Sequence, residues 1–346
     1  MIKSFDEVFE DVTKLGVKIK TDEYHPIGKY QIIDQGQEAV AGYTDLGDGV
    51  FENVPAIVFG DHTRIVKYVD QPFFLGADGV KVLRSRFKDA NYRYLYYALK
   101  SVKIPNTGYN RHFKWLKEAQ INYPNPEKQS EIVAVLDSIS SIVGHRQQQL
   151  QKLDALVTAR FVELFGDPEL NPRGLPVLPW NAVFLTTTGK LDSNAMVENG
   201  RYPFFTCAKE SYKIDSYAFD CEALLLAGNN AAGIYDVKHY KGKFNAYQRT
   251  YVLRLMNEKW SYILFKRQLE DKLQYLQSQS KGTNTRYLTL GILNELRFVV
   301  PPVAEQEQFA VFVEQTDKSK LAIQQSLDKL KTLRKSLMQE YYGQGE

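Results

Sequence analysis

Basic and amide side chains gather in a few polar segments that follow predicted strands. Residues 61–67 follow the apolar run at 57–59, and residues 281–286 carry two basic side chains, two threonines and an asparagine. Lysine and arginine in such loops can neutralise phosphates, while arginine, asparagine or glutamine can read base edges at groove depth. These segments are therefore candidates for contact with a nucleic acid.

The full set of candidate contacts draws on both halves of the chain. The first half supplies His62, Arg64, Lys67, Lys81, Arg84, Arg86, Asn110, Arg111 and Lys114, and the second supplies Asn229, Asn230, Lys241, Lys243, Arg249, Lys281, Thr283, Asn284 and Arg286. Two alternatives stay open. A single surface lysine or arginine is more often simply solvated, and Asn229-Asn230 could equally form a hairpin turn, because asparagine tolerates left-handed backbone angles.

Motifs for catalysis are not found in the sequence. The Gly-Lys pairs at positions 28, 189 and 242 are followed by Tyr, Leu and Phe, not by the Ser or Thr of a phosphate-binding loop. There is no glycine fingerprint for a dinucleotide or methyl-donor cofactor. The five histidines are scattered, and Cys207 and Cys221 fit no metal-ligand spacing. We expect no metal, no cofactor and no catalysis in the chain by itself.

The chain repeats itself once. The proline-containing segment 124–132 returns as 301–309, at an offset of 301 − 124 = 177 residues. The same offset maps Leu150, Leu153, Phe161 and Gly166 onto Leu327, Leu330, Met338 and Gly343. A long repeat made once predicts a pseudo-dimer within one polypeptide, not a solenoid.

Each copy of the repeat contains a predicted helix with the period of a coiled coil, in which seam positions step by four and three residues. The apolar seam residues are Ile132, Leu136, Ile139, Val143, Leu150, Leu153, Val157 and Leu164, and then Phe309, Val313, Ile323, Leu327, Leu330 and Leu337. Polar residues on the same seams are expected to set register or face a partner, and they include Arg146, Arg160, Lys320 and Arg334. At about 38 residues each, the helices would be roughly 57 Å long.

The segments before these helices are rich in glycine, aromatic and β-branched residues and predict short strands joined by loops. Each ends in an amphipathic helix, at 92–99 and 261–276, followed by a polar loop and a last strand. The predicted fold is α+β, with two globular domains separated by two long antiparallel coiled-coil helices and a pseudo-twofold internal repeat. The predicted divisions are residues 1–123, 124–165, 166–300 and 301–346.

Composition sets few further limits. The 346 residues carry a formal net charge of +3, which neither requires nor excludes a polyanionic partner. The longest apolar runs, such as 222–227, are too short to span a membrane, and the N-terminus lacks a signal pattern. We expect a cytoplasmic chain without a membrane role.

The order of globular segment, proline-rich turn and long helix, repeated once, resembles the specificity subunit of type I restriction-modification systems. The most specific part is the second junction, where a polar loop at 282–288 is followed by a strand, Pro301-Pro302 and Glu305-Gln306. The first junction keeps Gln129 but carries Lys128 where the second copy has Glu305.

The resemblance implies that each globular domain reads one half of a bipartite sequence in double-stranded DNA and that the helix pair sets the gap. A spacing of roughly 57 Å corresponds to about one and a half turns of B-DNA. It also implies two modification subunits and restriction subunits as partners, which would hold S-adenosylmethionine, ATP and Mg. This chain would then be no enzyme. Two alternatives are a coiled-coil adaptor that binds proteins only, and a self-sufficient restriction enzyme or methyltransferase.

Overall fold

The computed structural model describes residues 1–76, 78–108 and 110–343 of the chain. The chain divides into two compact units, one formed by residues 1–147 and 324–346 and the other by residues 148–323. Each unit therefore combines one globular segment with parts of both long helices. No helix in the described ranges is both long and apolar enough to cross a bilayer.

The first unit opens with short strands and helices and continues into a long helix. In chain order its elements are β1 (Ile2–Ser4), α1 (Phe5–Val8), β2 (Phe9–Asp11), β3 (Tyr30–Ile33), β4 (Gly42–Thr44), β5 (Ala56–Gly60), β6 (Val66–Val69), β7 (Phe73–Leu75), β8 (Val80–Ser85), α2 (Tyr92–Ser101), α3 (Phe113–Lys117), β9 (Gln120–Asn122) and α4 (Pro126–Phe165). Single 3-10 turns lie at Thr13–Leu15 and Thr21–Glu23.

Two sheets form the centre of the first unit. Strands β2, β8, β5 and β6 pair in that order, all antiparallel, and β4, β3 and β7 form a second sheet in which β3 and β7 are parallel. Asn91 caps the N-terminus of helix α2, because its Oδ1 accepts a hydrogen bond from the Tyr94 amide at 3.0 Å. Its apolar face, with Leu95 and Ala98, is buried in the same core as Ile57 of β5. The sheet and helix thereby hold the loop that follows β5.

The second unit contains the remaining elements. They are β10 (Val177–Pro179), α5 (Trp180–Val183), β11 (Phe184–Thr188), β12 (Tyr202–Phe205), β13 (Tyr212–Ile214), β14 (Phe219–Ala227), β15 (Asn229–Asn230), β16 (Val237–Ala246), β17 (Thr250–Leu255), α6 (Tyr262–Asp271), α7 (Leu273–Gln279), β18 (Arg286–Tyr287), α8 (Leu290–Asn294), β19 (Arg297–Val299) and α9 (Val303–Tyr342), with a 3-10 turn at Ser193–Ala195.

The internal repeat extends through the globular segments. The second unit has one six-stranded sheet in the order β11-β17-β14-β16-β12-β13. The first unit follows the same order, β2-β8-β5, then β6 and β7, then β3-β4, except that β6 and β7 are separate strands where β16 is continuous. Pro72 lies between β6 and β7, and proline cannot donate a ladder hydrogen bond. The parallel pairing is also shared, between β3 and β7 and between β12 and β16.

The two long helices pack antiparallel. In the first unit Ile139 and Val143 of α4 cluster with Leu327 and Leu330 near the end of α9. The second unit pairs the other ends. Its cluster joins Val157, Phe161, Phe165 and Leu164 of α4 to Phe309 and Val313 of α9, and Lys320 Nζ lies 2.6 Å from Asp154 Oδ1. The predicted α+β fold with a paired coiled-coil seam is confirmed.

The predicted division into four segments stays a prediction. Helices α4 and α9 lie within the segments 124–165 and 301–346, whose last three residues lie outside the described residues. The compact units are drawn differently because each globular segment packs on the ends of both helices. In the first unit, for example, Tyr94 stacks on Tyr342 with ring centroids 5.1 Å apart.

Candidate nucleic-acid interface

In the first unit, Asp61 joins the loop that follows β5 to the segment that precedes α3. Its buried side chain accepts a hydrogen bond through Oδ1 from the Phe113 amide at 2.7 Å, and its carbonyl accepts one from the His112 amide at 2.8 Å. The Asp61 amide in turn donates to the Gly79 carbonyl. Because of these bonds, two predicted groups, His62 with Arg64 and Asn110 with Arg111, flank one junction.

The second unit builds the same junction from different residues. The Gly228 amide donates to the Arg249 carbonyl, and the Gly228 carbonyl accepts from the Leu288 amide, both at 2.8 Å. Strand β15 then pairs with β18, so that Asn230 lies opposite Arg286. The structure therefore brings Asn229, Asn230, Arg249 and residues 281–286 to one surface.

A short hairpin presents the polar tip of this second surface. Lys281 and Tyr287 exchange both backbone hydrogen bonds, at 3.1 and 2.8 Å. Gly282 has a φ of +98°, and a Cβ added there would lie 2.2 Å from the Thr285 carbonyl oxygen, so only glycine fits. The exposed residues Lys281, Thr283 and Asn284 thus lie on a turn that two backbone hydrogen bonds close.

Two asparagines and an arginine shape the base of the hairpin. Asn230 Oδ1 accepts from the amides of Ala232 and Ile234. The alternative of a hairpin turn at the two asparagines is wrong, because both form strand β15 and the turn follows at residues 231–232. Arg286 Nη1 donates to the Gln277 carbonyl at 3.3 Å. One guanidinium nitrogen of Arg286 therefore bonds the hairpin to α7.

The first junction rests on a residue that sequence reasoning missed. Gln35 accepts a hydrogen bond from the His62 amide through Oε1 at 3.1 Å and from Thr63 Oγ1 through its carbonyl at 2.7 Å. Arg64 adopts a φ of +64°, which is uncommon for a residue with a side chain, and its Nη1 lies 3.5 Å from the Ile104 carbonyl. A glutamine just after an apolar strand gives no signal of such a role.

Several polar side chains near the first junction have partners within the first unit. Lys18 Nζ lies 2.8 Å from Asp78 Oδ1, and this hydrogen bond, with a smaller effect of Arg111, holds the pKa of Asp78 below its usual range. Asn110 Nδ2 donates to the Thr107 carbonyl at 2.5 Å. Lys114 Nζ lies over the Trp115 ring, 4.2 Å from its centroid.

Four of the predicted contacts in the first unit are engaged elsewhere. Lys67 belongs to β6, and Lys81 and Arg84 belong to β8, so residues 61–67 are not one loop as expected. Lys67 pairs with Asp34 at 3.2 Å, Lys81 with Asp11 at 2.9 Å and Arg84 with Glu10 at 2.6 Å, and Arg86 Nε donates to the Asp6 and Phe9 carbonyls. Lys67 is only 8% exposed, which leaves little surface for any ligand.

Lys241 and Lys243 lie apart from the second junction. Both are on β16, opposite Glu222 and Asp220, whereas the junction follows the end of β14. The separation along the strand is on the order of 20 Å at about 3.3 Å per residue. Lys241 Nζ lies 3.1 Å from Glu222 Oε2, and Lys243 Nζ lies 4.7 Å from the centroid of the Tyr217 ring. These two lysines are therefore not part of the second junction.

Comparison with known proteins places most of the sequence in one family. Residues 1–155 and 183–332 match the family described as Type I restriction modification DNA specificity domain. Two curated relatives from Escherichia coli are the Type I restriction enzyme EcoDI specificity subunit, 35% identical over 173 residues, and the EcoR124I/EcoR124II specificity subunit, 28% identical over 155 residues. These alignments cover 47% and 41% of this chain, and 38% of the length of each relative.

The fold is also found in a solved structure. The crystal structure of the type I restriction-modification S subunit from M. genitalium matches with a TM-score of 0.70 at 18% identity, covering 100% of this chain and 96% of that one. That likeness supports the fold, and the family match covers most of the sequence in both copies of the repeat. The chain belongs to the family of type I restriction-modification DNA specificity domains.

Proposed function

We propose that this chain is the sequence-specific DNA-recognition subunit of a type I restriction-modification complex. Each globular segment reads one half of a bipartite target in double-stranded DNA, and the helix pair sets the gap between the halves. The residues proposed to contact DNA are His62, Arg64, Asn110 and Arg111 in the first unit and Asn229, Asn230, Arg249, Lys281, Thr283, Asn284 and Arg286 in the second.

One observation carries this proposal. The same backbone junction, a loop after the central strand bonded to the segment before the last short helix, occurs twice with different side chains. The first copy presents an imidazole and guanidinium groups, while the second presents two asparagines and a Lys-Gly-Thr-Asn-Thr-Arg hairpin. Arginine and asparagine are the side chains that read guanine and adenine edges, so two unlike junctions suit two unlike half-sites.

The proposal assigns the chemistry to partner subunits. Two modification subunits would hold S-adenosylmethionine and transfer the methyl group, and restriction subunits would use ATP and Mg to translocate and cut DNA. The two curated relatives are named as specificity subunits of restriction enzymes, which supports a non-catalytic role for this chain. The chain would act in the cytoplasm, where the DNA is.

The first test is the genomic methylation pattern of a host that expresses this chain with its modification subunit. The control host carries the modification subunit alone. A new bipartite motif with a fixed gap is expected. Unchanged methylation in an assembled and active complex would contradict DNA recognition and favour a coiled-coil adaptor that binds proteins only.

Binding in solution provides a second test. The assembled complex should bind a duplex that carries the bipartite motif more tightly than a scrambled duplex of equal length. Its affinity for both should fall as salt is raised, because phosphate contacts release counterions. Equal affinity for the two duplexes would contradict sequence recognition.

A further inference from the structure

A groove of about 1880 Å³ lies within the first unit, between α2, the segment that follows it and the last turns of α9. Besides Arg93, five cationic side chains line it, namely Lys100, Lys103, Lys331, Arg334 and Lys335. Among the described residues that line the groove, the carboxylates are Glu118 and Glu340. The groove is therefore a basic cavity formed by parts of the chain that are far apart in sequence.

The cations of the groove are largely uncompensated. Among the described residues, none of the five forms an ion pair with a carboxylate, and Lys100 Nζ instead donates to the Tyr96 hydroxyl at 3.0 Å. Arg93, which also lines the groove, is different because Asp137 binds it at 2.5 Å. A cavity with this excess of positive charge favours a polyanionic occupant.

The groove continues toward the first junction. A second cavity of about 600 Å³ shares Tyr96 and Lys100 with the groove and is also lined by Thr63 and Arg64. Arg64 belongs to the proposed DNA-contacting set. Cationic side chains therefore lie along one surface from the junction to the end of α9.

The basic face of α9 is not a property of the repeat. At the offset of 177 residues, Lys331, Arg334 and Lys335 correspond to Asp154, Val157 and Thr158 of α4. In the second unit Arg267 Nη2 donates to Thr158 Oγ1 at 3.2 Å, so that helix face is bonded to α6. The three cations thus distinguish the first unit from the second. A purely structural role of this helix face would require neither their charge nor their clustering.

We propose that this groove binds the phosphodiester backbone of DNA, independently of base sequence. The inference rests on the proposed function, because it takes DNA as the ligand of the complex. From Lys331 to Lys335 the helix rises about 6 Å, which is comparable with the axial rise of two nucleotides of one DNA strand, at about 3.4 Å each. Tyr96 and Trp115 also line the groove. An acidic protein segment is the competing occupant, but the continuity with Arg64 favours DNA.

The test replaces the helix cations in the complex with the modification subunit. The triple variant Lys331→Ala, Arg334→Ala and Lys335→Ala is compared with a charge-matched control, Lys152→Ala, Lys318→Ala and Lys329→Ala, whose residues lie on α4 and α9 but outside the groove. The triple should weaken binding to target and scrambled duplexes by the same factor, at least tenfold. The salt slope of log Kd should become shallower by about 3, at about 0.9 per lost phosphate contact. The methylated motif should not change.

Each other outcome decides against the groove or against the proposed function. If the triple variant matches the control while the wild type prefers the target duplex, the groove assignment is wrong and sequence recognition stands. If it loses the modification subunit at unchanged DNA affinity, the occupant is an acidic protein surface. If the wild type binds both duplexes equally with a slope that the triple reduces, the groove stands and sequence recognition falls. The double variant Lys331→Gln and Lys335→Gln, which retains Arg334, should lower the salt slope by about 2. It keeps the groove testable if the triple variant does not fold.

Discussion

Gln129 and Gln306 make the same hydrogen bond although they are 177 residues apart. In each, Nε2 donates to the carbonyl of the proline five residues earlier, at 2.9 Å for Pro124 and 2.8 Å for Pro301. Both glutamines are buried at the start of a long helix. The bond fixes the turn between the last strand of a globular segment and the long helix that follows it. The two copies of the internal repeat therefore share this hydrogen bond as well as their sequence pattern.

Replacement of Gln306 by methionine should destabilise the second unit. Gln306 Oε1 also accepts from the amide of Ser261, the N-cap of α6, at 2.9 Å. Methionine keeps the volume but leaves this amide and the Pro301 carbonyl buried without a partner. We expect the free energy of unfolding to fall by about 2–3 kcal/mol, measured by urea unfolding together with hydrogen exchange of the Ser261 amide.

Gln129→Met is the matched control for this prediction. Gln129 has the bond to Pro124, but within the described part of the chain it accepts no bond from the amide of a helix N-cap, and we expect a loss of about 1 kcal/mol. Equal losses for both variants would show that the Ser261 bond adds nothing.

Asp61→Ala should release the segment that precedes α3. The substitution removes the acceptor of the Phe113 amide, and the expected cost is about 1–3 kcal/mol with faster hydrogen exchange at Phe113. Asp61→Asn retains an oxygen at the same place and should behave close to wild type. If the two variants exchange alike at Phe113, the junction does not depend on this side chain.

Much of the scaffold could be predicted from local patterns. Seam spacing identified both long helices, and apolar runs located strands such as β5 and β14 within a few residues. The helix expected at 92–99 is Tyr92–Ser101, and Asn91 and Ser261 cap equivalent helices. These features depend on periodicity and capping, which neighbouring residues determine. The helix expected at 261–276 is instead interrupted at Lys272, where neither glycine nor proline marks a break.

The partners of the basic residues could not be predicted. Lys67, Lys81 and Arg84 pair with carboxylates that lie 33, 70 and 74 residues away in sequence. The residue type alone does not distinguish a lysine that pairs with a carboxylate on a strand distant in sequence from a lysine that is available to bind a phosphate. The seam cation Lys320 does bond across the helix pair, as expected for a register-setting residue, whereas Arg334 lines the basic groove.

Alkaline pH should destabilise the first unit through buried tyrosines. Burial raises the pKa values of Tyr94 and Tyr342, and that of Tyr97 to about 12. In the unfolded chain tyrosine titrates near pH 10, so above that pH the unfolded state binds fewer protons and stability falls as pH rises to about 12. Urea unfolding at pH 9, 10 and 11 measures the slope.

The variant Tyr342→Phe isolates one contribution to this slope. It should make the loss shallower by about 1.4 kcal/mol per pH unit, because one proton no longer differs between the folded and unfolded states. Tyr212→Phe, at an exposed position in the second unit, is the control. A slope unaffected by Tyr342→Phe would mean that this hydroxyl has the same pKa in the folded and the unfolded state.

Substitutions on the 281–287 hairpin should separate base reading from backbone binding. If Asn284 contacts a base edge, Asn284→Ala should cost about 1–3 kcal/mol on the target and relax one half of the methylated motif only. If Lys281 contacts a phosphate, Lys281→Ala should weaken all sequences alike and lower the salt slope by about 1. Asn294→Ala, at an exposed position on α8 outside the hairpin, is the control and should leave both unchanged.

The half of the methylated motif that changes shows which unit the altered residue serves. The hairpin is built entirely within the second unit, from β15, β18 and α7. If each unit reads its own half-site, a local change there alters only the half-site of the second unit and leaves the other half-site unchanged. Relaxation in both halves after Asn284→Ala would therefore contradict independent reading by the two units, and an unchanged motif would remove the hairpin tip from the base-reading surface.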